Sequence, residues 1–142
     1  MMLDNKKNRR ALIVSKDKVF AHLLCIVVSE YGLQGDIKNN VTSALKLPNI
    51  NNYCLVIVEL GREPRDYLNL LKEMKKAIGN TSLWLITPFG EVEDNLRQIK
   101  VNKVFSRSVD IDELNRHLSL LLTSECKCGV RGDKSQPIRG VL

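Results

Sequence analysis

The chain has 142 residues, a length that suits one domain with a real core. Hydrophobic content of 44% and charged content of 27% are ordinary for a soluble globular protein, and no apolar run is long enough for a transmembrane helix. The net charge of +6 sits mainly at the two ends, so an extended basic face for nucleic acid is not indicated.

Residues 1–10 set Lys6, Lys7, Arg9 and Arg10 against Asp4, whereas residues 11–122 hold 14 basic and 13 acidic side chains. The start is polar and has no apolar h-region, so it does not read as a secretory signal. Ala11-Leu12-Ile13-Val14 is a short branched apolar run and predicts a buried parallel strand. Asp17 then opens a helical pattern of Val19, Phe20, Leu23, Leu24, Val27 and Tyr31 that Gly32 stops. Asp17 suits the N-cap and Gly32 the C′ position. Gln34–Lys38 is a weaker strand near an edge, and Val41–Leu47 a short helix ended by Pro48. Tyr53–Val58 is the strongest strand pattern. Asp66–Ile78 is an amphipathic helix ending near Gly79, and Ser82–Thr87 is a strand. Glu91–Ile99 predicts a fourth helix with an acidic first turn, Lys103–Ser106 a fifth strand, and Asp110–Leu122 a last helix. Residues 123–142 carry Gly129, Gly132, Pro137 and Gly140 without periodicity and read as a flexible basic tail.

Five strands alternating with helices mean parallel pairing with right-handed crossovers. Five units are too few to close an eight-stranded barrel. The expected fold is therefore an α/β, doubly wound five-stranded parallel sheet, (βα)5, with flavodoxin-like order 2-1-3-4-5 and helices on both faces. That order sets the carboxyl ends of the first and third strands side by side at the switch point. Ser15, Lys16 and Asp17 then lie close to Glu59, the acid that ends the third strand.

Residues 11–122 resemble the receiver (CheY-like) domain of two-component response regulators. The resemblance rests on length, element order and marker positions. With a basic N-terminal segment at 1–10 and a tail at 123–142 read from charge and composition, the receiver-like domain is expected at 11–122. In that family the first strand ends in two acids that hold Mg²⁺; Ser15 and Lys16 stand there, with Asp17 one residue late. The third strand ends in the phosphoacceptor Asp; Glu59 takes that position. Thr87 matches the Thr or Ser that contacts the phosphoryl group, Arg107 aligns with the Lys of a Lys-Pro pair, and Val104 falls at the aromatic switch position. The loop Gly61-Arg62-Glu63-Pro64 is one residue longer than the pattern.

These departures remove chemistry. Phosphoryl transfer needs a metal to neutralise and align the phosphoryl oxygens, and Mg²⁺ needs oxygen ligands. Lys16 brings positive charge to the metal position. Glu59 carries its carboxylate roughly 1.5 Å farther out than an aspartate, and a misplacement of about 1 Å can cost on the order of 10²-fold in rate. Mg²⁺ binding and acyl-phosphate formation are therefore expected to be lost, with no cofactor and no enzymatic activity. Glu59 is expected to pair with Lys16 or with Arg107.

A degenerate, phosphorylation-independent receiver working by protein contact is the first reading. The expected location is cytoplasmic, and Cys25 and Cys54, in apolar runs, read as buried thiols that suit a reducing compartment. By resemblance the contact surface is the predicted fourth helix, fifth strand and last helix. It offers Glu93, Asp94, Arg97, Lys100, Lys103 and Arg116 to a histidine kinase, a downstream signalling protein or a two-fold partner. The alternatives are a working phosphoacceptor that uses Glu59, and a small-ligand or nucleic-acid binder using the switch-point crevice and the basic ends. A membrane partner is not expected. Cys126 and Cys128 cannot complete a tetrahedral metal site, and His22 and His117 read as structural or solvent-facing.

Overall fold

The computed structural model describes residues 9–60, 67–88 and 99–125. In chain order they form β1 (Arg10–Val14), α1 (Lys18–Ser29), β2 (Gln34–Lys38), α2 (Val41–Leu45), a 3-10 turn at Ile50–Asn52, β3 (Leu55–Glu59), α3 (Tyr67–Ile78), β4 (Ser82–Thr87), β5 (Lys103–Ser106) and α4 (Ile111–Glu125). The helix expected at Glu91–Ile99 lies outside the described residues but for Ile99. None of the described helices is long and apolar enough to cross a membrane.

The chain divides into two compact units, the first running to Val109 and the second from Asp110. In the first, five strands pair in parallel in the order β2-β1-β3-β4-β5. The register sets Leu12 beside Val56, Val56 beside Leu83, and Leu85 beside Val104. Because side chains alternate across a strand, Leu12, Val14, Val56, Val58, Leu83 and Leu85 share one face. There they form a core with Val41 and Ala44 of α2 and with Leu71, Met74 and Ile78 of α3. α1 contributes nothing to that cluster. It buries Phe20, Ala21, Leu24, Val27 and Val28 on the other face, against β1 and β2. Helices thus cover both faces, as a sheet buried on both sides requires.

Local chemistry explains the element ends. Asp17 accepts from the Phe20 backbone N–H at 3.1 Å and starts α1, and Asn40 accepts from Ser43 N at 2.8 Å and starts α2. α1 ends with Leu33 N donating to Val28 O at 3.2 Å and Gly32 N to Ser29 O at 3.1 Å. This is a Schellman motif, and Gly32 takes its left-handed position at φ +82°. Gly35 in β2 lies against Cys25: a Cβ there would stand 2.6 Å from the thiol sulfur. In the second unit Asp110 accepts from Glu113 N at 2.8 Å and caps α4.

Several sequence expectations need correction. Arg10 is the first residue of β1 rather than part of a basic terminal segment, because its guanidinium grips Asp36 of β2 through two bonds of 2.8 and 3.0 Å. β3 starts at Leu55 rather than Tyr53, whose hydroxyl donates to Asp36 at 2.8 Å from the turn before the strand. α2 ends at Leu45, two residues early. Cys25 and Cys54 are half-buried, not buried, since one faces the edge strand and the other precedes β3.

Candidate functional site

The site lies at the carboxyl edge of β1, β3 and β5. Its residues stand at or just beyond the strand ends, yet the backbone there is still tied to the sheet. Ser15 N donates to Lys38 O at 2.9 Å, Leu60 N to Ile86 O at 2.7 Å, and Arg107 N to Thr87 O at 2.8 Å. Continuing each ladder fixes side-chain direction. Glu59 pairs with Ile86, and Ile86 with Phe105, so Glu59 and Arg107 leave from the same sheet face. Val14 pairs with Val58, which puts Ser15 on that face too.

Two side chains converge on Glu59. Ser15 Oγ donates to its Oε1 at 2.5 Å, and Arg107 Nη1 donates to its Oε2. Arg107 Nη2 reaches Asp17 at 2.5 Å. The Arg107 guanidinium also lies 4.2 Å above the centre of the Phe20 ring. The Glu59 side chain is only 12% exposed, while Arg107 is 41% exposed. A carboxylate this far out of water needs a paired cation and a hydrogen bond, and Arg107 and Ser15 supply them.

One guanidinium thus ties two carboxylates from different elements and stacks on an aromatic face. Only arginine's planar fork does all three. The extra methylene of Glu59 gives its carboxylate the reach to meet both partners. The Phe20 backbone N–H, and after it the Arg107 guanidinium, hold the Asp17 carboxyl below the usual carboxylate range. Ser15 Oγ also accepts from Asp17 N at 3.0 Å, linking the cap to the strand end.

Lys16 is exposed. Of the two partners expected for Glu59, the structure places Arg107 on it. Thr87 is 5% exposed, and its Oγ1 is buried with no hydrogen-bond partner among the described residues. It leaves from the face opposite Glu59, the face of its register partner Ser106. Val104, two residues earlier, packs against the core on that face, while Phe105 turns to the other and stacks obliquely on Trp84 at 5.2 Å.

One contributor was not singled out in the sequence: Phe20 read only as part of an apolar helix face. Asp17 is expected near Glu59 from the strand order, but its bond to Arg107 is not. The signal for both is the Arg at position 107, whose fork and flat face need an acid and a ring.

Of the proposed contact residues, Lys100 and Lys103 are exposed in the first unit and Arg116 in the second, while Glu93, Asp94 and Arg97 lie outside the described residues. His22 Nδ1 is 2.8 Å from Lys18 O, and His117 Nε2 is 3.9 Å from Glu113. Cys126 and Cys128 lie outside the described residues. Among the described residues no group of three or more His, Cys, Asp or Glu side chains converges as a metal site would.

A second polar cluster stands toward the amino edge of the same sheet. Arg10 and Tyr53 both bind Asp36 beside an open cleft of about 610 Å³ that Leu47, Pro48, Asn49 and Asn52 also line. Arg10 holds the Asp36 carboxyl below its usual range. Burial, then the bond to Asp36, pushes the Tyr53 phenol up to about 12.

No protein-family model and no curated protein matches the chain. Solved structures do. The receiver domain of response regulator 1452 from Francisella is 23% identical and superposes with a TM-score of 0.67, covering 83% of this chain and 99% of its own. A CheY-like receiver domain protein from Methanospirillum hungatei is 17% identical, with a TM-score of 0.69 over 85% of this chain and 98% of its own. A protein described as pilus assembly-related, from Burkholderia pseudomallei, is 10% identical, with a TM-score of 0.67 over 82% of this chain and 90% of its own. The chain therefore has the receiver fold. At these identities the likeness shows the fold alone, and function has to be argued from the site.

Proposed function

We propose that this protein is a degenerate receiver domain that acts in signal transduction through protein–protein contact, without phosphorylation, metal or catalysis. The observation that carries this reading is the Arg107 guanidinium bound to both Glu59 and Asp17. In a working receiver the corresponding space takes a divalent cation and then a phosphoryl group. Here the positions of the metal-binding acids hold Ser15 and Lys16, and the carboxylates that remain are shared by a fixed cation. A hard Mg²⁺ would have to displace an intramolecular guanidinium from both at once, so the donor set does not fit it. Glu59 is likewise occupied on both oxygens and is not free to attack a phosphodonor.

The transmission step is missing as well. Thr87 faces away from Glu59, and the position that would carry a moving aromatic holds Val104, packed against the core. Coupling needs an element with two arrangements, and a small branched side chain held in a core offers one. The domain is a fixed shape for a partner to read. Partners of the kind that receivers meet, a histidine kinase or a downstream signalling protein in the cytoplasm, fit this reading.

Calorimetric titration with Mg²⁺ tests it. No saturable heat is expected up to millimolar concentration. Saturable binding that Glu59→Gln abolishes would favour a working phosphoacceptor instead.

A further inference from the structure

The cleft at the amino edge of the sheet takes no part in the function proposed above. Its volume of about 610 Å³ falls within the roughly 300–1,000 Å³ of small-molecule sites. Arg10 opens β1 and Ser15 follows its end, so the cleft stands about 16 Å along the strand from the Ser15–Glu59 pair.

The polar side of the cleft is locked in place. Asp36 Oδ2 accepts from Arg10 Nε and from the Tyr53 hydroxyl, both at 2.8 Å, and its Oδ1 accepts from Arg10 Nη2 at 3.0 Å. Arg10 Nη1 donates to Gln34 at 3.3 Å. A carboxylate has roughly four acceptor positions and a guanidinium five N–H donors. These bonds use three of each, which leaves one acceptor on Asp36 and two donors on Arg10. The two side chains are 27% and 40% exposed, so this spare capacity is within reach of a ligand. Because Arg10 and Asp36 stand on paired strands and Tyr53 braces the carboxylate, the groups are preorganised.

The charges cancel. Among the described residues that line the cleft, Arg10 and Asp36 alone are charged, and they are paired, so a charged ligand gains from one what it loses to the other. The rest of the lining is the carboxamides of Asn49 and Asn52, both exposed, and the side chains of Leu47, Pro48 and Tyr53. Each carboxamide both donates and accepts.

We propose that this cleft binds a neutral sugar, a hexose in its ring form. A hydroxyl both donates and accepts, so one can give its proton to Asp36 Oδ1 while its neighbour takes an N–H from Arg10. Asn49 and Asn52 serve further hydroxyls in the same way, and the C–H face of the ring lies against Leu47, Pro48 and Tyr53. A purely apolar ligand would strip water from the spare donors and acceptors and leave them unpaired. The cleft is open and the direct bonds are few, so affinity is low, with a Kd of about 1 mM. The proposal is independent of whether Glu59 accepts a phosphoryl group.

Heteronuclear NMR on the full chain tests it, with D-glucose, D-galactose and D-mannose titrated to about 50 mM, and with adenosine and D-gluconate as the flat and the charged alternatives. At least one hexose should give saturable shifts centred on the backbone amides of Arg10, Asp36, Asn49 and Asn52. Replacing Asn49 and Asn52 together with alanine should weaken that binding about fivefold to a hundredfold, since each loses a hydrogen bond to the ligand. The fold is not at risk in this variant, because both residues are exposed and the Asn49 side chain does not cap the 3-10 turn. Lys16→Ala, at the carboxyl edge, should leave the affinity unchanged. The proposal is overturned by the absence of saturable shifts with all three hexoses, by shifts centred elsewhere, or by indifference to the double alanine variant. Adenosine or gluconate binding there more tightly than every hexose would overturn it too.

Discussion

Replacing Arg107 with alanine removes the cation that closes the site. Glu59 is then left largely buried, with Ser15 as its remaining partner. A charge-assisted bond to a carboxylate contributes about 1.5–3 kcal/mol, and the exposed side of Arg107 argues for the low end. The cation–π contact with Phe20 adds about 0.5 kcal/mol at a site this open. The Asp17 arm is exposed at both ends and is left out of the figure. Arg107→Ala should therefore cost about 2 kcal/mol. For a chain of this size that lowers Tm by about 7 °C, and it shifts the urea midpoint with an unchanged slope. Arg107→Lys keeps the charge but loses the fork and the ring contact, so it should fall between the two. Lys16→Ala should change stability by less than about 0.5 kcal/mol. If Arg107→Ala stays within about 0.5 kcal/mol of the parent, or Lys16→Ala costs as much, the pairing argued above is wrong.

The remaining predictions test other parts of the structure. Thr87→Val removes a buried hydroxyl that has no partner among the described residues, so unfolding should show it neutral or stabilised by up to about 1 kcal/mol; a clear loss would mean that Thr87 Oγ1 makes a working contact. Gly35→Ala should destabilise by about 1–3 kcal/mol, because the new methyl meets the Cys25 sulfur, and Cys25→Ala should relieve part of that in a double-mutant cycle. Asp17 and Asp36 both titrate below their unfolded value of 3.8, so the stability they give is present above that pH and is lost as pH falls through their lower folded values; Asp36→Asn should flatten the acid limb of an unfolding profile. Tyr53 titrates at about 12 in the fold against 10.0 unfolded, so its contribution is complete below pH 10 and disappears between the two, and Tyr53→Phe should remove that alkaline loss.

Much of the fold is legible in the residues. Branched apolar runs at 11–14, 55–58 and 82–87 make strands buried on both faces, and helical spacing between them leaves one topology. Asp17 and Gly32 mark the first helix because a side-chain acceptor and a left-handed backbone are what its ends require. Charge counting misplaced Arg10, since its partner Asp36 lies 26 residues on and is reached only through the β1–β2 register. The site is legible in part. Element order alone carries Arg107 to the edge that holds Glu59. That Arg107 meets Glu59 depends on where its backbone stands past the end of β5, which Arg107 N sets by bonding Thr87 O. The Phe20 ring under the guanidinium depends on how α1 lies on the sheet, and helical spacing does not encode that.

The most direct measurement is intact mass after incubation with a small-molecule phosphodonor and Mg²⁺. With Glu59 bound on both oxygens by Ser15 and Arg107, the mass should stay unchanged. A gain of one phosphoryl group, lost in Glu59→Gln, would show that the site still accepts a phosphoryl group and that Arg107 does not close it.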